Sequence, residues 1–196
     1  MKRFELKELH YITAIENLAS ILKSGILSHH HTKRIGHTSI AMEEIQERRA
    51  KITIPGGLPL HEYVCLYICG RNVMLYKRRG QHKDICVLCV SPDVLDLPGV
   101  VITDANASSS YVSFRAAPNG LQIVDRELTF AERWDDPDLI AYYRKKSAKC
   151  AEVLVPDRVA PQYIQGCYVS CAGSCDRVLA ISPEIKVVVD AHLFFL

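Results

Sequence analysis

Glu152 heads a short apolar run, Ala151-Glu152-Val153-Leu154-Val155, directly behind a polar, cationic segment carrying Arg144, Lys145, Lys146, Ser147 and Lys149. The run has strand length and a high β-branched content. Alternation puts Val153 and Val155 on one face and Glu152 with Leu154 on the other. A carboxylate carried from a basic segment into an apolar sheet is either a tolerated edge charge or a catalytic group. Among apolar neighbours it can stabilise a developing positive charge and accept a proton, and a catalytic group is the expectation.

Eight cysteines invite a search for metal or disulfide chemistry. Cys86 and Cys89 have CxxC spacing but sit in Ile85-Cys86-Val87-Leu88-Cys89-Val90, which reads as a strand. Residues three apart on a strand point to opposite faces and cannot share one ion. Cys167, Cys171 and Cys175 are spaced by four, near Gly166 and Gly173, with no His-x-x-x-His or second CxxC to complete a site. Buried free thiols are the expectation, with no metal. Residues 1–8 lack the apolar core of a signal peptide, so a cytoplasmic protein with reduced thiols is expected. No apolar run reaches eighteen residues, so no membrane span is expected. A net charge of +2 does not announce a nucleic-acid binder, and a basic face would have to be local. The local candidates are Lys33-Arg34, Lys77-Arg78-Arg79, and Arg144-Lys145-Lys146 with Lys149.

The elements that position these groups can be read in outline. A chain of 196 residues suits one domain over 1–196. Its 48% hydrophobic and 23% charged content excludes disorder. Strands are expected at residues 9–13, 26–28, 63–69, 85–90, 100–102 and 152–155. A helix is expected over 16–25, stopped by Gly25, and a short helix or turn over 42–51. Loops are expected at 29–38, 55–59 and 103–110. A helix interrupted at Pro137 is expected over 130–143, and further strands or a helix–strand pair across 168–189. Many short strands with few helices make the class α+β.

Four blocks then occur in order: Tyr11-Ile12-Thr13-Ala14-Ile15-Glu16-Asn17-Leu18, Ile45-Gln46-Glu47-Arg48-Arg49, Leu60-His61-Glu62-Tyr63-Val64 through Met74-Leu75-Tyr76, and Ala151 to Val155. Each is weak alone. In this order and at these spacings, from about residue 9 to the end, the chain resembles the DarT family, toxin ADP-ribosyltransferases that modify bases in single-stranded DNA. The resemblance implies a mono-ADP-ribosyltransferase fold, a split mixed β-sheet with flanking helices around an NAD cleft, with NAD as substrate. It makes Glu152 the invariant carboxylate and Arg49 a functional arginine. It places NAD contacts at Tyr11, Thr13 and Asn17 with neighbouring His10, and at Tyr63 and Met74, with His61 beside the same pocket. Tyr67 is expected in the core. Residues 136–150 would help choose the target. On residues alone, Arg49 would pair on the helix surface with Glu44 or Glu47. The block match instead has its guanidinium fork hold a phosphate of NAD, or Glu152 and the target.

Such a transfer breaks the bond between nicotinamide and ribose through an oxocarbenium-like transition state. One carboxylate can hold the ribose hydroxyls, stabilise the charge and take the proton from the attacking base nitrogen, a general-base contribution of about 10²–10⁴-fold. DNA would be held by Lys77, Arg78, Arg79, Tyr111, Lys145, Lys146 and Lys149, and a single strand offers its bases without the cost of unstacking a duplex. The thymidine-modifying members read Tyr-His-Ile-Thr where this chain reads His10-Tyr11-Ile12-Thr13, and they place a His where Tyr111 stands. A sister branch modifies the guanine amino group, and guanine is the expected target. Thymidine, transfer to RNA or protein, and a nucleic-acid-binding module without chemistry are the alternatives; the presence of both Glu152 and Arg49 argues against the last. The absence of a GxGxxG loop is compatible with this fold. The resemblance further implies an antitoxin that removes the adduct, a NADAR-domain hydrolase for a guanine type or a macrodomain for a thymidine type. A monomer is expected.

Overall fold

The computed structural model describes residues 1–33 and 35–196; Arg34, half of one expected basic pair, lies outside the described residues. Strand β1 (Leu9–Ala14) runs through a tight turn into helix α1 (Leu18–Ser24), which Gly25 ends at φ 86°. A side chain at Gly25 would collide with the Val159 carbonyl, so glycine meets both the backbone and the packing need. There follow β2 (Ile26–Leu27), the single turn α2 (His29–Thr32), α3 (Glu43–Arg49), β3 (Tyr63–Tyr67), α4 (Val73–Lys77), β4 (Ile85–Val90), β5 (Val101–Thr103) and β6 (Phe114–Ala116). The chain continues through α5 (Arg126–Phe130), α6 (Leu139–Ala148), β7 (Glu152–Pro156), β8 (Arg158–Val159), β9 (Ile164–Val169), α7 (Ala172–Ile181) and β10 (Val187–Val189).

Three expectations need correction. The loop expected at 29–38 begins with a helical turn, closed by the His31 and Thr32 N–H groups donating to the Ser28 carbonyl. The strand expected at 63–69 ends at Tyr67, and the buried Asn72 side chain then accepts from the N–H groups of Met74 and Leu75 and launches α4. The helix expected over 130–143 is two helices. Asp125 caps α5 through the Leu128 N–H, and Asp138, just past Pro137, caps α6 through the Ala141 N–H at 2.7 Å. Residues 136–150, before the candidate catalytic strand, are therefore largely α6.

Eight strands form one sheet in the order β10-β9-β4-β1-β3-β7-β5-β6, antiparallel except for β9–β10; β2 and β8 pair separately. Strand β4 is buried along all six residues because both its faces are covered. Cys86, Leu88 and Val90 enter the main core, and Ile85 and Val87 enter a second cluster with Leu75 and Phe194. β1 pairs with β4 over six residues, and β3 with β7 over five. β1 and β3 meet only at His10–Tyr67. The sheet is thus two well-laddered halves joined at one residue pair, and a cleft opens where the ladder stops.

β7 lies between β3 and β5, so Glu152 is not an edge charge. Val153 and Val155 enter the main core, while Leu154 packs with Ile54, Leu60 and Tyr63 on the other face, in the alternation the sequence shows. Among the described residues no helix is long and apolar enough to cross a membrane. All eight cysteines are free, and no group of three or more His, Cys, Asp and Glu side chains is placed to hold a metal ion among the described residues.

Candidate active site

The cleft measures about 1290 Å³ and is walled by β1, α3, β3, the loop after β5, and α6. That exceeds the roughly 300–1,000 Å³ usual for small ligands and suits a dinucleotide. Glu152, fully buried, stands in its wall. The Thr103 hydroxyl accepts the Glu152 backbone N–H at 3.0 Å and donates to the Ala105 carbonyl at 2.7 Å, which fixes the start of β7. Arg49, the last residue of α3 and 6% exposed, meets Glu152 head on. Its Nη1 donates to Oε1 and its Nη2 to Oε2, each at 3.1 Å. Nη2 also contacts the Cys65 sulfur. The two-pronged geometry satisfies both carboxylate oxygens and aims them as a unit. Burial works to lower the Arg49 pKa, but the facing groups Cys65 and Glu152 outweigh it and hold the guanidinium above its ordinary value. Surface pairing with Glu44 falls to Arg48 instead, at 3.4 Å.

The groups around this pair are buried and hold their protons. Burial pushes the Cys65 thiol up to about 12 and the Tyr11 phenol up to about 12. Tyr67, opposite Glu152 in the β3–β7 register, is raised well above its usual value by burial and then by the carboxylate. The His29 and His61 rings lie with centres 4.2 Å apart and planes tilted by 45°. Burial, then the His29, Lys33 and Arg49 charges, bring His61 down to about 4, so its ring is neutral near pH 7. The unfolded chain binds that proton more readily, so stability from the neutral ring is complete above about 6.5 and is lost as pH falls toward 4. The melting temperature of the native protein should therefore fall more steeply over that window than that of His61→Gln. Equal slopes would remove His61 as the source.

Of the residues expected at NAD, Tyr11, Thr13, Asn17, Arg49, Tyr63 and Met74 line the cleft, as does His61. Besides Arg49, Asn17 and Tyr63 spend their polar groups on the protein. Asn17 donates to the Thr38 carbonyl and accepts the Thr38 N–H, both at 2.9 Å, so it pins the rim. The Tyr63 hydroxyl accepts from the Leu58 N–H at 3.2 Å. His10 is a correction. Its side chain leaves β1 on the face away from Tyr11 and sits 3.2 Å from Glu8. It packs so close to Gly70 that a Cβ there would lie 2.7 Å from the ring.

The basic residues separate likewise. Lys77 and Lys146 line the cleft, with Tyr111 at its mouth. Lys145 is tied to Asp136 at 2.7 Å. Arg78 donates to the Ile40 and Ala41 carbonyls, and Arg79 lies 4.1 Å over the Tyr76 ring. Lys149 is a clear correction: it is 1% exposed, and its Nζ donates to the Thr129 carbonyl at 3.1 Å and contacts Cys69, out of reach of DNA. Tyr67 packs against the second core cluster, as expected, and also lines the cleft; Cys65 in the same wall and Thr103 behind Glu152 are what sequence reasoning missed. The alternation Tyr63, Cys65, Tyr67 carried the signal for Cys65; nothing local marks Thr103.

A family model described as "DarT: ssDNA thymidine ADP-ribosyltransferase, DarT" matches residues 10–195. The DNA ADP-ribosyl transferase–DNA ADP-ribosyl glycohydrolase fusion protein of Thermosipho africanus (strain H17ap60334) is 32% identical over 97% of this chain and 50% of its own. The chain thus spans about half the length of that relative. A DNA ADP-ribosyl transferase of Thermus sp. (strain 2.9) is 34% identical over 75% of this chain and 73% of its own. The solved Thermus sp. 2.9 DarT in complex with ADP-ribosylated ssDNA superposes with a TM-score of 0.83 at 28% identity, over 96% of each chain. The same protein has been solved in complex with NAD+. A split mixed sheet that agrees with these structures along its length is a mono-ADP-ribosyltransferase fold. Within that class, the chain belongs to the DarT family.

Proposed function

We propose that this chain is an NAD-dependent transferase that moves ADP-ribose onto a base of single-stranded DNA and releases nicotinamide. The observation that carries the proposal is the buried, two-pronged Arg49–Glu152 pair in the wall of a cleft opened between two halves of a sheet. The residues present fit NAD. The cleft is large enough for a dinucleotide, and two buried polar atoms in its wall, His61 Nε2 and Ser147 Oγ, have no hydrogen-bond partner among the described residues. Bound NAD supplies the ADP-ribose, joined to nicotinamide by the C–N bond that is broken. Glu152 holds the ribose hydroxyls, offsets the positive charge that develops there, and takes the proton from the attacking nitrogen. Arg49 fixes the orientation of the carboxylate through one N–H on each oxygen. Tyr11, Thr13 and Met74 supply the nearby walls. The names of the Thermus and Thermosipho relatives support NAD and single-stranded DNA as ligands, and the fused glycohydrolase supports an antitoxin that reverses the modification.

For the base, the reading is the guanine amino group, with a NADAR-type hydrolase as the opposing activity. Its support is Tyr11 and Tyr111 in the cleft wall, where the resemblance gives the thymidine-modifying members histidines. The second reading, thymidine, is favoured by the description of the matching family model. Oligonucleotides each lacking one base type, incubated with NAD and weighed, separate the two. Mass should be gained by every strand that contains guanine and by none without it. A gain that survives removal of guanine and stops on removal of thymine establishes the second reading, and no gain on any strand refutes both.

A further inference from the structure

The two ends of the main sheet are finished differently. At β6 the Phe114 carbonyl accepts from the Arg115 guanidinium, and the Asn119–Ile123 turn packs so close that a side chain at Gly120 would meet the Arg115 carbonyl. β10, at the other end, is open: Val188 is 39% exposed and Val189 51%. Lys186 gives its carbonyl to the Cys167 N–H, and Asp190 its N–H to the Val169 carbonyl, both at 2.9 Å. In a parallel ladder alternate residues turn their backbone groups to the neighbouring strand. The backbone groups of Val188 therefore serve β9, and those of Val187 and Val189 point out of the sheet edge. Side chains alternate as well. Val187 packs on the main core, as does Val178 of α7, so Val189 shares the face that α7 covers, where Leu179 and Ile181 are also exposed. Lys186, Val188 and Asp190 fall on the opposite face. Asp190 accepts from the Leu193 N–H, and neither it nor Lys186 forms an ion pair among the described residues.

We propose that β10 is a dimerisation edge, on which a second copy of this chain pairs antiparallel about a two-fold axis at Val188, in place of the monomer expected from the sequence. The segment Lys186-Val187-Val188-Val189-Asp190 carries opposite charges at equal distances from its centre. Its antiparallel image is therefore its own complement. Val187 exchanges both backbone bonds with Val189 of the partner subunit, and Val189 with Val187 of the partner subunit, which satisfies every outward group of β10. Lys186 then faces Asp190 of the partner subunit across a pair without backbone bonds, the kind in which side chains come closest. A parallel copy would set lysine against lysine and aspartate against aspartate. A two-fold axis through the sheet keeps both α7 helices on one face, so Leu179, Ile181 and Val189 of each chain border the junction. Three strand residues and two helix side chains make a small patch, so the association is weak and depends on concentration. The cleft lies on β1, β3 and β7, with β9 and β4 between them and β10, and both clefts stay open in the pair. The inference is independent of the transferase reading.

Sedimentation equilibrium from about 1 μM to about 1 mM covers weak interfaces and tests this. The average mass of the native protein should climb from that of one chain toward that of two and no further. Val189→Pro removes an outward N–H and none that β9 uses, so its melting temperature should stay near native while association weakens by about ten-fold or more. Lys186→Glu sets two carboxylates opposite each other at both ends of the junction, and Asp190→Lys sets two ammonium groups there. Each alone should associate about ten-fold more weakly than the native protein, or worse. Mixed in equal amounts the two variants should recover a dimer, one chain of each kind, because both ends then hold opposite charges. A native protein that stays at the mass of one chain throughout overturns the proposal. So does a native dimer that Lys186→Glu leaves intact, or a mixture that associates no better than its components.

Discussion

Glu152→Gln should lose transfer to DNA by at least about 10²–10³-fold while the protein stays folded. The substitution keeps the shape of the side chain and removes its charge and its basicity. General-base and electrostatic terms of that size disappear with it. It also leaves Arg49 buried with no counter-charge, a change that costs about 3–5 kcal/mol where an ion pair is fully enclosed. Against a typical stability of about 5–15 kcal/mol, that lowers the melting temperature without unfolding the chain at moderate temperature. Two measurements therefore move together for different reasons. Glu152→Asp separates them: the charge stays, so most of the stability returns, but the carboxylate is withdrawn by one methylene from the groups it must hold. Transfer within ten-fold of native by Glu152→Gln, confirmed folded by its melting curve, would refute the assigned role.

The Glu152 strand was legible because a lone carboxylate in a β-branched run conflicts with its neighbours. Residues 9–13, 63–69 and 85–90 were legible for a related reason: apolar runs of strand length with breakers at their ends leave few alternatives. Arg49 shows how a local reading can stop short. Glu44 lies four residues before Arg48 but five before Arg49, so helical spacing already gives the surface pair to Arg48 and turns Arg49 elsewhere. Where it turns depends on β7, 103 residues further on. The cleft itself has no sequence signature. It exists because β1 and β3 meet at one residue pair, a register set by how each is laddered to its other neighbour. Lys149 was misplaced because a cationic run was treated as one surface. The helix ends at Ala148, and the next residue is drawn inward by the Thr129 carbonyl, which gains a donor there.

Stability and activity should part company at Arg49. Arg49→Met alone strands a carboxylate in a buried site, and Glu152→Gln alone strands a guanidinium; each is expected to cost about 3–5 kcal/mol. In the double variant Arg49→Met/Glu152→Gln no buried charge remains, and the Met side chain occupies much of the volume of the arginine stem. Its stability should lie well above the sum of the two losses, because the large term in each single variant is the unpaired partner rather than the missing attraction. Transfer should not recover with it. The double variant should be as inactive as Glu152→Gln, since residues that act as one unit lose their effect together rather than additively. Arg49→Lys tests the fork itself. Lysine keeps the positive charge but offers one point where Nη1 and Nη2 each hold a separate oxygen. The expected result is a protein close to native in stability whose turnover falls by about 10²-fold, with NAD affinity measured in the absence of DNA as the second readout. Loss of NAD affinity with turnover preserved at saturating NAD would place Arg49 on a phosphate of NAD. Loss of turnover with NAD affinity kept places it where the geometry does, behind the carboxylate. A double variant that regains activity along with stability would show that the pair is an ordinary internal salt bridge and that the chemistry lies elsewhere in the cleft.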